Sequence, residues 1–309
     1  DSNPIPFAVV GSYVLFTAGS PNSGRELWRS DGTTQGTQLV ADINPGSGDG
    51  AAANVIEPVR RQPFALFAGT TLNHGTELWR SDGTSAGTYL LRDIRPGPGS
   101  SHPSATWIHN DMNLIFADDG LRGRELWSSR GSRQSTTLIQ EFVSGSKGPW
   151  ILSQVSGVAG ERAILAIYPN SMPGPATAWS SDGTAQGTFS LNTRILVSEC
   201  VSSGTRVFYW DSLLGGRCHV TDGTLAGTSA LSAQMTYFLA SPSLQAYGDG
   251  GALFVPTHPR RLWKTDGTSA GTSQFLSSPD LRLADAGQLA GVGNGGHAAF
   301  AAGAPAQAP

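Results

Sequence analysis

A phrase of twelve residues that recurs along the chain constrains the fold more than any other feature. Its clearest copy, residues 77–88, reads ELWRSDGTSAGT, and six copies occur. The positions equivalent to its tryptophan are spaced 51, 48, 52, 40 and 44 residues apart: Trp28, Trp79, Trp127, Trp179, His219 and Trp263. A period of this length with variable insertions is typical of a repeat architecture in which each copy is one supersecondary unit.

Each copy is predicted to form four short strands. In the second copy these are residues 54–60, 64–68, 76–81 and 88–94, with turn residues between them. No segment shows apolar residues at helical spacing over three turns, so the chain is predicted to be all-β.

The third strand of each copy decides between the all-β architectures. Leu27 and Trp28 are adjacent, so they point to opposite faces of a strand, and Leu78 and Trp79 do the same. Small sheets with large apolar residues on both faces, packed around an axis, form a β-propeller of four-stranded antiparallel blades. The tryptophans are assigned to its core: Trp28, Trp79, Trp127, Trp179 and Trp263. Second-strand phenylalanines are expected to fill the same layers between blades: Phe16, Phe67, Phe116, Phe208, Phe254 and Phe300.

The domain organisation follows from the repeats. A single β-propeller domain is predicted over residues 1–303, with six full repeats in 6–277, a partial seventh in 281–303 and a tail in 304–309. Seven blade positions are favoured, the last with only two strands. A six-bladed ring is the alternative.

Composition limits the classes of partner. A net charge of −3 with no run of Lys or Arg gives no reason to expect nucleic acid. No apolar run approaches the ~20 residues that span a bilayer, so membrane insertion is not expected. The chain starts at Asp1 without an initiator Met, which suggests a mature product after signal removal. The sequence does not predict the oligomeric state.

The Asp-Gly-Thr segment between the third and fourth strands is interpreted as a structural turn. Asp hydrogen-bonds amides two residues on, and Gly supplies the positive φ of a hairpin turn. No cofactor is expected, and calcium is kept as an alternative because carboxylates in loops bind it. The third copy has Arg130 where Asp is expected, which favours the turn. The turn residues are Asp31, Asp82, Asp182, Asp222 and Asp266.

These phrases resemble the ELWxxDGT repeat family of bacterial secreted and surface proteins, and the turn is similar to the Asp-box hairpins of sialidase-type propellers. The resemblance covers about residues 6–277 and is strongest in the first two copies. It implies an extracellular or cell-surface protein and transfers no catalytic residues. Copies four to six lack the Glu of the phrase, and His219 replaces the Trp of copy five.

Ligand-binding residues are expected among those that do not repeat, on the propeller face opposite the Asp-Gly-Thr turns. Trp150, which follows Gly-Pro, is the preferred exposed aromatic residue, and the pair Asp118-Asp119 is a candidate acid/base or cation site. The candidates are His74, His102, Asp118, Asp119, Arg122, Trp150, Tyr168, Trp210 and Asp211. Cys200 and Cys218 are predicted to be free thiols, because one strand separates them by ~9–10 Å.

The function predicted from these residues is extracellular, non-catalytic binding or adhesion. A carbohydrate or surface glycan is the favoured partner, because aromatic and short polar groups suit sugar recognition. A secreted hydrolase or lyase with its site in a central pocket is one alternative. A structural repeat domain of a larger surface protein is the other.

Overall fold

The computed structural model describes twelve stretches of the chain. They are residues 2–51, 63–109, 112–142, 155–168, 176–195, 200–211, 217–231, 243–248, 250–255, 262–274, 289–290 and 299–300. The described part is all-β and contains no helix. Among these residues, therefore, no helix is available to cross a membrane.

The first half of the chain forms three antiparallel sheets. The first sheet contains β1 (Ile5–Val10), β2 (Tyr13–Ser20), β3 (Gly24–Ser30) and β4 (Gln38–Ala41). The second contains β5 (Ala65–Thr71), β6 (Gly75–Ser81) and β7 (Tyr89–Arg92). The third contains β8 (Ser104–His109), β9 (Met112–Asp118), β10 (Arg124–Ser129) and β11 (Thr137–Gln140).

The second half forms three more such sheets and a strand pair. The fourth sheet contains β12 (Val155–Ala159), β13 (Arg162–Ile167), β14 (Ala176–Ser181) and β15 (Phe189–Ile195). The fifth contains β16 (Cys200–Ser203), β17 (Arg206–Trp210), β18 (Cys218–Thr221) and β19 (Ser229–Ala230). The sixth contains β20 (Ser243–Tyr247), β21 (Gly251–Val255), β22 (Trp263–Thr265) and β23 (Ser273–Gln274). The pair is β24 (Leu289–Ala290) with β25 (Ala299–Phe300).

Strands within each sheet pair in sequence order, so every connection inside a sheet is a hairpin. This confirms the all-β prediction and the four-stranded unit. In the second copy, the predicted strands at 64–68, 76–81 and 88–94 correspond to β5, β6 and β7. The predicted first strand at 54–60 lies outside the described residues.

The chain divides into two compact units, the first comprising residues 1–153, 169–171 and 183–185, the second the remainder. Within the first unit, consecutive sheets pack face to face. Leu15 and Leu27 of the first sheet share a buried cluster with Ala65 and Phe67 of the second. The opposite face of the second sheet packs in the same way on the third, through a cluster that includes Leu78.

The second unit repeats this packing with other residues. Ile164 and Ala178 of the fourth sheet cluster with Val207 and Tyr209 of the fifth. The other face of the fifth sheet, including Cys218, clusters with the sixth. Each unit is therefore a series of small sheets whose apolar faces are buried against their sequence neighbours. A single domain over 1–303 stays a prediction.

The strand register corrects the expected phenylalanine layer. Phe16 pairs with Trp28, and Phe67 with Trp79, so these rings share one face of their sheets. In the third sheet the partner of Trp127 is Ile115, which places Phe116 on the opposite face. In the fifth sheet, likewise, Tyr209 takes the Phe16 position and Phe208 faces the other way. Phe254 pairs with Trp263 as predicted, and nothing is described of the Phe300 side chain.

Among the described residues, the two faces of the first sheet differ in exposure. Its Leu15–Leu27 face is fully buried, whereas its opposite face is partly exposed. There Val14 and Leu39 are 40% and 42% exposed, and a groove of about 990 Å³ lies over Phe16 and Trp28. The equivalent face of the second sheet is buried against the first.

Candidate functional site

The Asp-Gly-Thr turns are closed by hydrogen bonds within each turn. Asp82 Oδ1 accepts from the amide of Thr84 at 2.9 Å and from its hydroxyl at 2.7 Å, and Thr84 Oγ1 accepts from the Gly87 amide at 3.0 Å. The same bonds occur in the turns of Asp31, Asp222 and Asp266. A Cβ on Gly87 would lie 2.0 Å from the Asp82 carboxylate, which explains the second Gly of the phrase. These carboxylates therefore organise their own turns.

The turn of the third copy keeps this shape with a different side chain. Arg130 replaces the Asp, and Ser135 replaces the second Gly. The Ser135 hydroxyl accepts from the amides of Arg130 at 3.0 Å and Ser132 at 3.2 Å. A serine oxygen thus takes the place of the missing carboxylate.

The glutamate of the phrase is a residue whose role was missed in the sequence. Glu26, Glu77 and Glu125 are all at most 1% exposed. Each accepts a backbone amide from the segment that leaves its sheet: Ile43 at 2.7 Å, Ile94 at 2.8 Å and Phe142 at 2.7 Å. Its recurrence in three copies was the available signal, since a charged residue between buried positions requires partners.

Burial opposes the ionisation of Glu26 and Glu77. It raises the pKa of Glu26 to about 7, against the hydrogen bonds from the amides of Ile43 and Asn44. Burial also raises the pKa of Glu77, opposed by hydrogen bonds from Ser101 and Ile94. Both carboxyls lie under loops at one edge of their sheets, the edge opposite the Asp-Gly-Thr turns.

Hairpin loops and inter-sheet loops meet at that edge. The Arg25 amide donates to the Asp49 carboxylate at 2.7 Å, and in the next copy the Thr76 amide donates to the Ser100 hydroxyl at 2.9 Å. The second loop continues to the third sheet, where the Asp118 amide donates to the Ser101 carbonyl at 2.9 Å. The loops therefore have fixed positions relative to the strands.

A histidine–aspartate hydrogen bond and several ion pairs lie along this edge of the second and third sheets. His74 Nδ1 lies 3.0 Å from Asp93 Oδ2, and Arg95 Nη1 lies 3.2 Å from Asp118 Oδ2. Arg122 Nη1 lies 2.5 Å from Asp119 Oδ2, and its Nε lies 3.5 Å from Glu141. The side chains of His74, Arg95 and Arg122 are 41–42% exposed. We name this set the charged edge: His74, Asp93, Arg95, Asp118, Asp119, Arg122 and Glu141.

The Asp118-Asp119 pair does not form a shared acid/base site. The Asp118 carboxylate accepts hydrogen bonds from the Gly120 amide and the Arg95 guanidinium, whereas the Asp119 carboxylate accepts them from the amides of Leu121 and Arg122. Burial opposes ionisation of Asp119, but these amides and the Arg122 guanidinium outweigh it and hold its pKa below the ordinary value. Among the described residues, no group of three or more His, Cys, Asp or Glu could hold a metal ion.

The other predicted ligand residues lie in several places. His102 has a left-handed backbone, φ 46°, and its carbonyl accepts from Arg124 at 2.7 Å near the charged edge. Tyr168 packs against the core of the second unit. Trp210 is 1% exposed and packs edge-on against Phe254, so it is a core residue rather than a loop residue. Trp150 lies outside the described residues.

Asp211 belongs to a pair around the histidine that replaces tryptophan. Its carboxylate lies 3.8 Å from His219 Nε2, and the His219 ring stacks on Tyr209 with centroids 5.5 Å apart. Burial lowers the pKa of His219, as expected for a ring in a core position. Cys200 and Cys218 are free and lie on β16 and β18 with β17 between them. Burial raises the pKa of Cys200 to about 12.

Comparison with known proteins gives no family. No family model and no curated protein matches the chain. Similar solved structures include a puromycin hydrolase S511A mutant complexed with PGG. Its sequence is 13% identical, the match covers 90% of this chain and 47% of that chain, and the TM-score is 0.37. Another is the β-propeller domain of the Trilobed protease from Pyrococcus furiosus, which is 14% identical. The match covers 90% of this chain and 85% of that chain, with a TM-score of 0.39. A third is oligopeptidase B from Leishmania major, with 12% identity, 89% and 42% coverage and a TM-score of 0.46.

The likeness to these structures is distant. The TM-scores are below 0.5 and the identities are at most 14%, so no site or activity is transferred. The chain spans about half the length of the puromycin hydrolase chain that it matches.

Proposed function

We propose that this protein is a non-catalytic binding or adhesion module that recognises a ligand at the charged edge. The observation that carries the proposal is the division between repeated and non-repeated residues. The Glu, Leu and Asp of the phrase are engaged in packing and turns, as in Glu77, Leu78 and Asp82. The half-exposed side chains of His74, Arg95 and Arg122 differ from their counterparts in the first copy, Ser23 and Asn44, and lie at the opposite end of the sheets.

A carbohydrate or surface glycan is the ligand class that we favour. Carboxylates accept and guanidinium groups donate hydrogen bonds, and an alternating set of both suits the hydroxyl groups of a sugar. Asp119, whose pKa is held below its ordinary value, is a poor general acid, and glycoside hydrolysis requires such an acid to protonate the leaving group.

We further propose that the six sheets and the β24–β25 pair are blades of one β-propeller with seven positions. Its support is the repeat in the sequence and the equivalent face-to-face packing inside each unit. The likeness of the phrase to the ELWxxDGT repeat family supports placing the protein outside the cell or at its surface. Calcium enters the proposal only as a condition that the binding experiment varies.

A glycan array with and without calcium, run on three proteins, tests the binding proposal. Arg122→Ala removes a cation from the charged edge, just before β10. Arg130→Ala is the control, because it removes a cation from the exposed turn that follows β10. We expect a glycan that binds the unmodified protein and Arg130→Ala equally and binds Arg122→Ala at least about tenfold more weakly, as for a lost charge-assisted hydrogen bond. Absence of any glycan binding, or equal loss in both variants, would overturn the proposal.

A further inference from the structure

A buried carboxylate lies beneath the charged edge and holds both ends of the loop that carries two of its residues. Glu77 Oε2 accepts the Ile94 amide at 2.8 Å, near the start of the loop. Glu77 Oε1 accepts the Ser101 amide at 2.9 Å, and Oε2 accepts the Ser101 hydroxyl at 2.7 Å, where the loop ends. Glu77 itself is fully buried, so these contacts are shielded from water.

Ile94 lies between two residues of the charged edge, Asp93 and Arg95. Asp93 precedes it and pairs with His74 of the β5–β6 hairpin loop, and Arg95 follows it and pairs with Asp118 of the third sheet. The peptide group held by Glu77 therefore fixes the backbone from which the Asp93–His74 hydrogen bond and the Arg95–Asp118 ion pair extend in different directions. Side chains on a fixed backbone lose less conformational entropy when they bind a ligand.

We propose that Glu77 is the positioning residue of the charged edge, and that its carboxylate sets the His74–Asp93 and Arg95–Asp118 pairs through the 93–101 loop. This inference rests on the proposed function only for its consequence in ligand binding. Its structural content is independent of any ligand.

The first sheet supplies a matched control. Glu26 is equally buried and accepts the Ile43 amide at 2.7 Å, so it holds the equivalent loop by the same contact. The residues equivalent to Asp93 and Arg95 are Asp42 and Asn44, and Ser23 stands in the place of His74. Glu26→Gln thus perturbs the same kind of anchor without an ion pair of the charged edge above it.

The His74 ring provides a readout that a loss of stability alone would not change. A carboxylate only accepts hydrogen bonds, so whenever the His74 ring carries a single proton, the bond to Asp93 places that proton on Nδ1. Imidazole nitrogen shifts in NMR distinguish this tautomer from the Nε2–H form that a free histidine prefers.

The experiment compares the unmodified chain with Glu77→Gln and Glu26→Gln. In Glu77→Gln we expect exchange of the Ile94 and Ser101 amides to rise about tenfold or more, because an NH₂ group that cannot accept replaces one of the two acceptor oxygens. We also expect His74 to shift towards the Nε2–H tautomer. In Glu26→Gln, exchange at Ile43 should rise while His74 keeps the Nδ1–H form. An unchanged His74 tautomer in Glu77→Gln, or the same shift in both variants, would overturn the proposal.

Two further measurements keep the outcomes separable. In the unmodified protein, the Ile94 and Ser101 amides should exchange far more slowly than the Gly97 amide at the loop tip, and equal rates would refute the anchor even if Glu77→Gln does not fold. Glycan binding is then measured on the same variants. If the His74 signature changes as expected but no variant and no unmodified protein binds a glycan, the positioning role stands and the proposed function fails.

Discussion

The turns of the second and third copies have the same shape but are built with different chemistry. In the second copy, the Asp82 carboxylate fills the turn and requires the absence of a side chain at Gly87. In the third, Ser135 supplies the oxygen from the other side of the turn, and Arg130 contributes its amide as a donor. The two positions are therefore coupled, because only one of them supplies the acceptor. It is position 82 in the second copy and position 135, the counterpart of 87, in the third.

The largest effect is expected from a side chain placed against the Asp82 carboxylate. Gly87→Ala puts a Cβ about 2.0 Å from Asp82 Oδ2, and we expect the free energy of unfolding to fall by about 2–3 kcal/mol from overpacking. Urea denaturation measures the change. Ser135→Ala is the comparison variant, since no carboxylate opposes that position and a smaller loss of about 1 kcal/mol is expected there. A Gly87→Ala variant as stable as the unmodified protein would refute the coupling.

A transplant of the third turn into the second tests the coupling directly. Gly87→Ser alone should destabilise like Gly87→Ala, because the Asp82 carboxylate remains in place. Combined with Asp82→Arg, the same serine should accept the turn amides, and we expect it to recover about 1–2 kcal/mol. Unfolding curves of the two single variants and the double variant give the interaction energy. Strict additivity would show that the two positions are independent.

Loss of the serine acceptor should have a smaller effect. Ser135→Ala leaves the amides of Arg130 and Ser132 without their side-chain acceptor, in a half-buried turn that water reaches. We expect a loss of about 1 kcal/mol in the free energy of unfolding. Replacement by Thr, which keeps the hydroxyl, serves as the control in the same denaturation experiment, and an equal loss in both would argue against the acceptor role.

The smallest expected effect is a difference in response to acid. Hydrogen bonds from the Thr33 hydroxyl and amide hold the pKa of Asp31 below its ordinary value of 3.8, and those from Thr268 do the same for Asp266. A depressed folded pKa gives stability that is present above the ordinary value and lost as the pH falls through the folded one. Between pH 4 and pH 2, NMR signals of the Thr33 and Thr268 amides should shift as these turns lose their acceptors. The Ser132 amide of the third turn should stay unchanged; a parallel shift there would contradict this account.

Much of the candidate site could not have been predicted from the sequence. Asp118, Asp119 and Arg122 were identified because they lie in a loop that does not repeat, and the structure places them at the charged edge. Asp93, Arg95 and Glu141, the partners of His74, Asp118 and Arg122, were not identified, since pairing across loops depends on which sheet ends meet. Trp210 was predicted to be a ligand-binding candidate, but the β17 strand continues to it and its ring lies in the core of the second unit.

The repeat by itself determined the all-β class, the four-strand unit and the chemistry of the turns. The class and the unit follow from alternation along each strand and from the turn residues between strands, and the hydrogen bonds of Asp82 and Thr84 within their turn join residues two and three apart. Short sequence patterns encode all of these. Only the tertiary structure decided the face on which each aromatic ring lies, the partners of each ion and the role of Glu77. A shift of one residue in register moves a ring from one face to the other, as for Phe116. Glu77 holds amides 17 and 24 residues further along the chain, a relation that exists only once the loop has folded back over its own sheet.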